Sequence, residues 1–199
     1  MSTSWWPNIM QQTMIRAQVK LDFAWALGRR MAEAVNAADP ATQQMLGEIW
    51  CFAEFARSAI ANSEAEALEQ ADGFWTPSIA PLYALRCMLP SWFPRVSEIL
   101  RLIGSHFMLA APQAAQFDDP ELRVLIDTYL GGAGPVDAEQ RARIFRLGWD
   151  FTGSGLASRN DQYERFYLAS GVRNLQNVQR IADPAPSDAL VDRFLKEDF

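Results

Sequence analysis

Over residues 9–35, Val19, Phe23, Ala26, Leu27, Met31, Ala34 and Val35 recur at three- and four-residue steps. That is the period of an amphipathic α-helix, and the segment is long enough to cross a helical bundle. A second segment repeats the pattern with Met45, Leu46, Ile49, Phe52, Ala53, Ala56 and Ile60, then turns acidic at Glu64, Glu66 and Glu69 before Gly73. Trp25, Trp50 and Phe55 stand off these stripes, which predicts burial on more than one side of each helix. No alternating run of β-branched residues bounded by turn residues occurs, so strands are not expected. The pattern predicts an all-α fold, an antiparallel four-helix bundle with short additional C-terminal helices.

Proline and aspartate punctuate these helices. Asp39 precedes Pro40 and Asp119 precedes Pro120, each pair reading as an N-cap followed by proline in the first turn. The second of these opens a short helix ending at Leu130. Pro77 and Pro81 read as a loop leading into residues 82–89. Pro90 and Pro94 predict a break or strong kink, with a helix resuming over residues 95–103. Residues 131–135 form the clearest loop, after which Asp137 caps a helix carrying Ile144, Phe145, Leu147, Gly148 and Trp149. No repeat and no linker divides the chain, so one helical domain spanning residues 1–199 is expected.

Net charge is −6, from 24 acidic against 18 basic residues. The basic residues are spread along the chain instead of forming a stripe, which argues against nucleic acid as a partner. No apolar run approaches the ~20 residues of a membrane span, and the N-terminal residues lack a basic and apolar leader pattern, so no membrane association and a cytoplasmic location are expected. Cys51 and Cys87, the only thiols, sit inside apolar helical patterns and read as buried. His106 is the only histidine and reads as a loop or core residue. A single histidine excludes His-dependent metal clusters, no nucleophile elbow stands beside it to make a Ser/His/Asp triad, and no metal or self-contained catalytic residue is expected.

The informative stretch is residues 141–167. Its first half is amphipathic, and Gly153, Ser154 and Gly155 then fall where a helix is weakened. Small residues let a backbone or ligand come close, and Thr152 and Ser154 add hydroxyls. Exposed N–H groups at such a break suit an anionic or polar cofactor edge, while the same glycines also serve tight helix packing. Arg159 and Tyr163 share one helical face, and Asp161 and Arg165 form a second pair four residues apart.

The run from Arg143 through Gly148, Trp149, Asp150, Thr152 and Gly153 to Ser154, followed by Ser158, Arg159 and the motif Tyr163, Glu164, Arg165, Phe166, Tyr167, closely resembles the C-terminal region of the 4-hydroxyphenylacetate 3-monooxygenase oxygenase-component family. Weaker likeness extends to Val19, Lys20 and Leu21 and to Val191, Asp192, Arg193, Phe194 and Leu195. The resemblance implies an acyl-CoA dehydrogenase C-terminal-domain-like bundle from a two-component enzyme. In that family a reductase supplies reduced FAD and the oxygenase hydroxylates a phenol ortho to its hydroxyl. The family's catalytic residues lie in N-terminal helical and β-domains that this sequence does not contain, so no catalytic residue carries over. What carries over is a cofactor contact at Thr152, Gly153, Ser154 and Gly155, with FAD shared with the missing domains. The implied partners are further copies of the chain in a homo-oligomer, a chain carrying the N-terminal helical and β-domains, and, indirectly, a flavin reductase. Two functional readings follow. The first is the C-terminal part of a flavin-dependent phenol monooxygenase; the second is a non-catalytic oligomerisation or scaffold module descended from one.

Overall fold

The computed structural model describes residues 5–131, 136–168 and 170–195. Three long helices, α1 (Trp5–Ala34), α2 (Pro40–Ala65) and α3 (Ile79–Gly104), pack mutually and are joined by short connections. A shorter α7 (Ala138–Thr152) packs on α1 and α3 and completes the predicted four-helix bundle. Between α3 and α7 lie α4 (Phe107–Ala110), α5 (Ala114–Phe117) and α6 (Pro120–Leu130). After α7 come α8 (Gly155–Phe166), α9 (Gly171–Ile181) and α10 (Ala185–Leu195). The loop read at 131–135 begins at Gly131, the C-cap of α6; its other residues lie outside the described ones.

The inward face of α1 follows the expected stripe in its C-terminal half, where Leu27, Met31 and Ala34 are buried, and departs from it in its N-terminal half. Met10, Met14, Ala17, Leu21, Ala24, Leu27, Gly28 and Met31 point into the core, while Val19 is 57% and Phe23 43% exposed. Two apolar stripes run along this helix, and the one with small residues wins because it lets neighbouring helices approach. A Cβ on Gly28 would stand 3.0 Å from Leu46 Cδ2 and 3.1 Å from Leu100 Cδ2, so α2 and α3 press onto α1 there. On α2 the expected residues Leu46, Ile49, Ala53, Ala56 and Ile60 are buried, with Met45 and Phe52 half-buried. Asp39 caps the helix, its carboxylate accepting from the Ala41 and Thr42 N–H groups at 3.0 Å each.

The predicted break at Pro90 and Pro94 is also corrected. α3 runs unbroken through both, and the helix begins at Ile79, with Pro81 in its first turn rather than in a loop. Each interior proline removes one backbone hydrogen bond. The helix survives because Leu82, Leu85, Leu89, Phe93, Val96, Ile99, Leu100 and Ile103 bury a continuous face on both sides of the prolines. The Ser91 hydroxyl also donates to the Met88 carbonyl at 2.8 Å.

No strand was expected, yet a two-residue antiparallel ladder pairs Leu68 with Thr76 and Glu69 with Trp75. It is too short to show a period, and Gly73, at φ +83°, supplies the left-handed position of its turn. The hairpin sits between α2 and α3, whose ends clasp reciprocally. The buried Ser63 hydroxyl donates to the Ser78 carbonyl at 2.6 Å, and the Ser78 N–H donates to the Ser63 carbonyl at 2.9 Å.

Cys87 is buried as expected, and desolvation pushes its thiol pKa up, against the nearby Arg86 charge. Cys51 is exposed, contrary to expectation, because the off-stripe face of α2 is left open within this chain. The same holds for the aromatic residues expected to be buried on a second side: Trp50 and Phe55 are exposed and Trp25 is half-buried. None of the seven tryptophans is fully buried.

Candidate cofactor-contact site

The residues singled out in the sequence form the corner where α7 ends and α8 begins. Thr152 is the last residue of α7 and is buried, its hydroxyl donating to the Gly148 carbonyl at 2.8 Å. Its own carbonyl accepts from the Arg101 guanidinium of α3, which ties this corner to the bundle. Gly153 caps the helix with φ −127°, a conformation open to any residue. What requires glycine there is Trp149, because an added Cβ would sit 2.7 Å from the indole.

Ser154 is the N-cap of α8. Its hydroxyl accepts from the Ala157 N–H at 3.1 Å and donates to the Asp150 carbonyl at 2.9 Å, so one side chain joins the end of α7 to the start of α8. Gly155 follows, exposed, with nothing within 4 Å of where a Cβ would stand. The first N–H groups of a helix lack partners within it, and here Ser154 satisfies the one at Ala157. Those of Gly155 and Leu156 lie at the positive end of the helix dipole, on exposed residues. The four expected residues are thus contiguous but divided: Thr152 faces inward, and Ser154 with Gly155 faces out. A groove of about 270 Å³ lined by Met108, Gln113, Arg146, Trp149 and Asp150 shares the Trp149 wall with this corner. The open space at Gly155 and the paired N–H donors fit a polar edge of a flavin.

Further along α8 the expected Asp161–Arg165 pair forms at 2.9 Å. Tyr163 stacks on Tyr167 with ring centroids 4.3 Å apart. The cations over its ring are Arg16 and Lys20 of α1, at 4.6 and 5.4 Å, rather than Arg159 of its own helix. Burial pushes the Tyr163 phenol up, with the Arg16 charge opposing.

Sequence reading missed Glu164 as a structural centre. It is 1% exposed, takes both guanidinium nitrogens of Arg16, the longer contact at 3.2 Å, and accepts from Lys20 Nζ at 2.5 Å. A signal was present: Glu164 lies two turns from Ala157, on the inward face of α8, and Arg16 and Lys20 stand one turn apart on α1. Arg101 was likewise missed, since only the folded chain brings α3 to the corner. His106 is exposed at the start of α4. Among the described residues no group of three or more His, Cys, Asp or Glu could hold a metal ion, and no helix is long and apolar enough to cross a membrane.

The helix order and packing define an all-α protein built on a four-helix bundle with short additional C-terminal helices. The chain belongs to the 4-hydroxyphenylacetate 3-hydroxylase C-terminal family, which matches over residues 1–196. It is 33% identical over 191 residues to the 4-hydroxyphenylacetate 3-monooxygenase oxygenase component of Thermus thermophilus, covering 96% of this chain and 39% of that protein. It is 32% identical over 163 residues to a probable 4-hydroxyphenylacetate 3-monooxygenase of Bacillus subtilis, covering 81% and 33%. The crystal structure of the oxygenase component HpaB complexed with FAD superposes with a TM-score of 0.90 at 30% identity, covering 96% of this chain and 40% of that one. The chain therefore spans well under half the length of these relatives.

Proposed function

We propose that this chain is the C-terminal helical part of a reduced-flavin-dependent phenol monooxygenase. In this reading it contributes subunit association and one wall of an FAD site, and it works only with a chain carrying the N-terminal helical and β-domains. The observation that carries the reading is the exposed start of α8, where Gly155 leaves room for a close approach and the first residues of the helix beside Ser154 are open to solvent. The likeness to a structure complexed with FAD supports the choice of ligand. Ser154 and the N–H groups of Gly155 and Leu156 would contact the flavin, while Thr152 and Gly153 hold the corner in shape. Reduced FAD, delivered by a separate flavin reductase in the cytoplasm, would supply the oxygen-activating chemistry that hydroxylates a phenol ring.

Reconstitution tests this. The chain is combined with the N-terminal portion of the Thermus thermophilus relative, FAD, a flavin reductase and 4-hydroxyphenylacetate, and hydroxylated product is measured. Product formation that requires this chain, and that is lost in Gly155→Trp, supports the reading. Product that is unchanged in Gly155→Trp removes the site assignment.

A second reading, a non-catalytic oligomerisation or scaffold module descended from such an enzyme, is favoured by the seven tryptophans, none of them fully buried in the chain. Large aromatic residues left half-open on helix faces are suited to subunit contacts. Affinity capture of the tagged chain separates the two. A stoichiometric partner with helical and β-domains supports the enzyme, and recovery of the chain alone, as a flavin-free oligomer, supports the scaffold.

A further inference from the structure

Among the described residues Glu164 is the only charged one that is fully buried. The helix that carries it buries few side chains of its own. The buried residues of α8 are Ala157 and Glu164, and one alanine gives the hydrophobic effect little apolar area with which to fasten a helix of 12 residues. A helix of that length does not sustain itself in water. α8 lies along α3 and α7, and its reach to α1 is ionic. Arg16 and Lys20 both donate to the Glu164 carboxylate, and Lys20 also donates at 2.5 Å to Asn160 Oδ1, one turn back along α8. Tyr163, the residue before Glu164, has its ring centroid 4.6 Å from the Arg16 guanidinium.

We propose that Glu164 is a positioning residue: with Arg16, Lys20 and Asn160 it forms an ionic lock that fixes α8 to α1 and so sets where the start of α8 points. The lever is direct. Glu164 and Gly155 are separated by about 14 Å of helix at the usual rise, so a tilt at the locked end displaces the N–H groups at the other. What those groups present rests on the flavin reading above; the lock itself does not. The lock also joins positions far apart in sequence, so it closes only when the first helix of the bundle and the eighth are both in place.

Hydrogen exchange on the full chain tests the lock independently of function. Glu164→Gln keeps the size of the side chain but removes the charge facing two cations. It is expected to accelerate amide exchange in α8 by about tenfold or more, the change in local opening that losing a hydrogen bond to a charged group gives, with the amides of α1, α2 and α3 unchanged. Exchange that is unchanged in α8, or that rises equally in all helices, overturns the lock. The triple variant Arg16→Met, Lys20→Met, Glu164→Met serves where the single one fails to fold. Apolar replacements of a buried ion cluster commonly restore stability. The triple variant is therefore expected to recover the thermal midpoint and α8 protection while hydroxylation in the reconstituted enzyme stays roughly tenfold down, because the contact geometry is not restored. Full recovery of hydroxylation would show a fastening without positioning and overturn the proposal. Gly155→Trp is the control: if that variant hydroxylates normally, the flavin reading fails and the lock is judged on exchange alone.

Discussion

An added Cβ at Gly153 would press on the Trp149 indole, whereas one at Gly155 meets open space. The two glycines therefore answer different questions when substituted. Gly153→Ala must displace a ring already packed beside the corner, and overpacking of this kind destabilises by about 1–3 kcal/mol. Gly155→Trp, at the first position of α8, is expected to stay within about 0.5 kcal/mol of wild type, as exposed substitutions usually do. Urea denaturation of both variants checks the pair, and equal losses would mean that Trp149 does not lie as described. Ser154→Ala removes the cap of α8 and is expected to lose about 1 kcal/mol by the same measurement. At this scale the small residues and hydroxyls of the corner were legible because they interrupt a helical pattern. The inward turn of Thr152, and the burial of Glu164, were not. Which side of a helix faces the core depends on neighbours such as α1 and α3 that sequence spacing does not supply.

Among the elements, α2 and α3 are joined by an ion pair that makes a pH prediction. Arg95 donates to both Glu48 oxygens, at 2.8 and 2.9 Å, and this hydrogen bonding holds the Glu48 carboxyl below its usual value, with desolvation opposing. Asp39 is lowered in the same direction by the Thr42 hydroxyl and by N–H groups at the start of α2. A carboxyl whose pKa is depressed by folding stabilises the fold where it is ionised, and that contribution is lost as pH falls through the lowered value. The thermal midpoint of wild type should therefore exceed that of Glu48→Gln at neutral pH, with the gap closing below about pH 4. A gap that is constant across this range would remove the ion pair from the account. Element existence was readable here from period and caps, as Asp39, Asp119 and Asp137 all show. Continuity was not. Pro90 and Pro94 read as a break because local rules weigh the lost hydrogen bonds, while the apolar face that carries α3 through them is a tertiary fact. The N-terminal half of the α1 face was misread for a related reason: it carries two apolar stripes, and close packing of the neighbouring helices decides between them. Gly28→Val should destabilise by about 1–3 kcal/mol, since the added methyls meet Leu46 and Leu100.

At the scale of the molecule, the bundle leaves apolar faces uncovered that helices in water do not normally keep open. Ile15, Val19 and Phe23 line the outside of α1 at four-residue steps. Leu190, Val191, Phe194 and Leu195 are exposed on α10, a helix of 11 residues with no buried residue. Such a helix is marginal in isolation, so its folding is coupled to whatever covers it. The homo-oligomer we propose would cover these faces, and so would the domains present in the longer relatives. The two give different results in one experiment. Light scattering on the purified chain should give a mass above that of one copy, and Leu190→Asp with Phe194→Asp should shift it toward the monomer while the bundle's thermal midpoint is kept. If instead wild type is a monomer, and the double variant alters only capture of the chain carrying the N-terminal and β-domains, α10 belongs to the contact between domains. A double variant that changes neither mass nor capture would remove α10 from both interfaces and leave its apolar face without the role assigned to it.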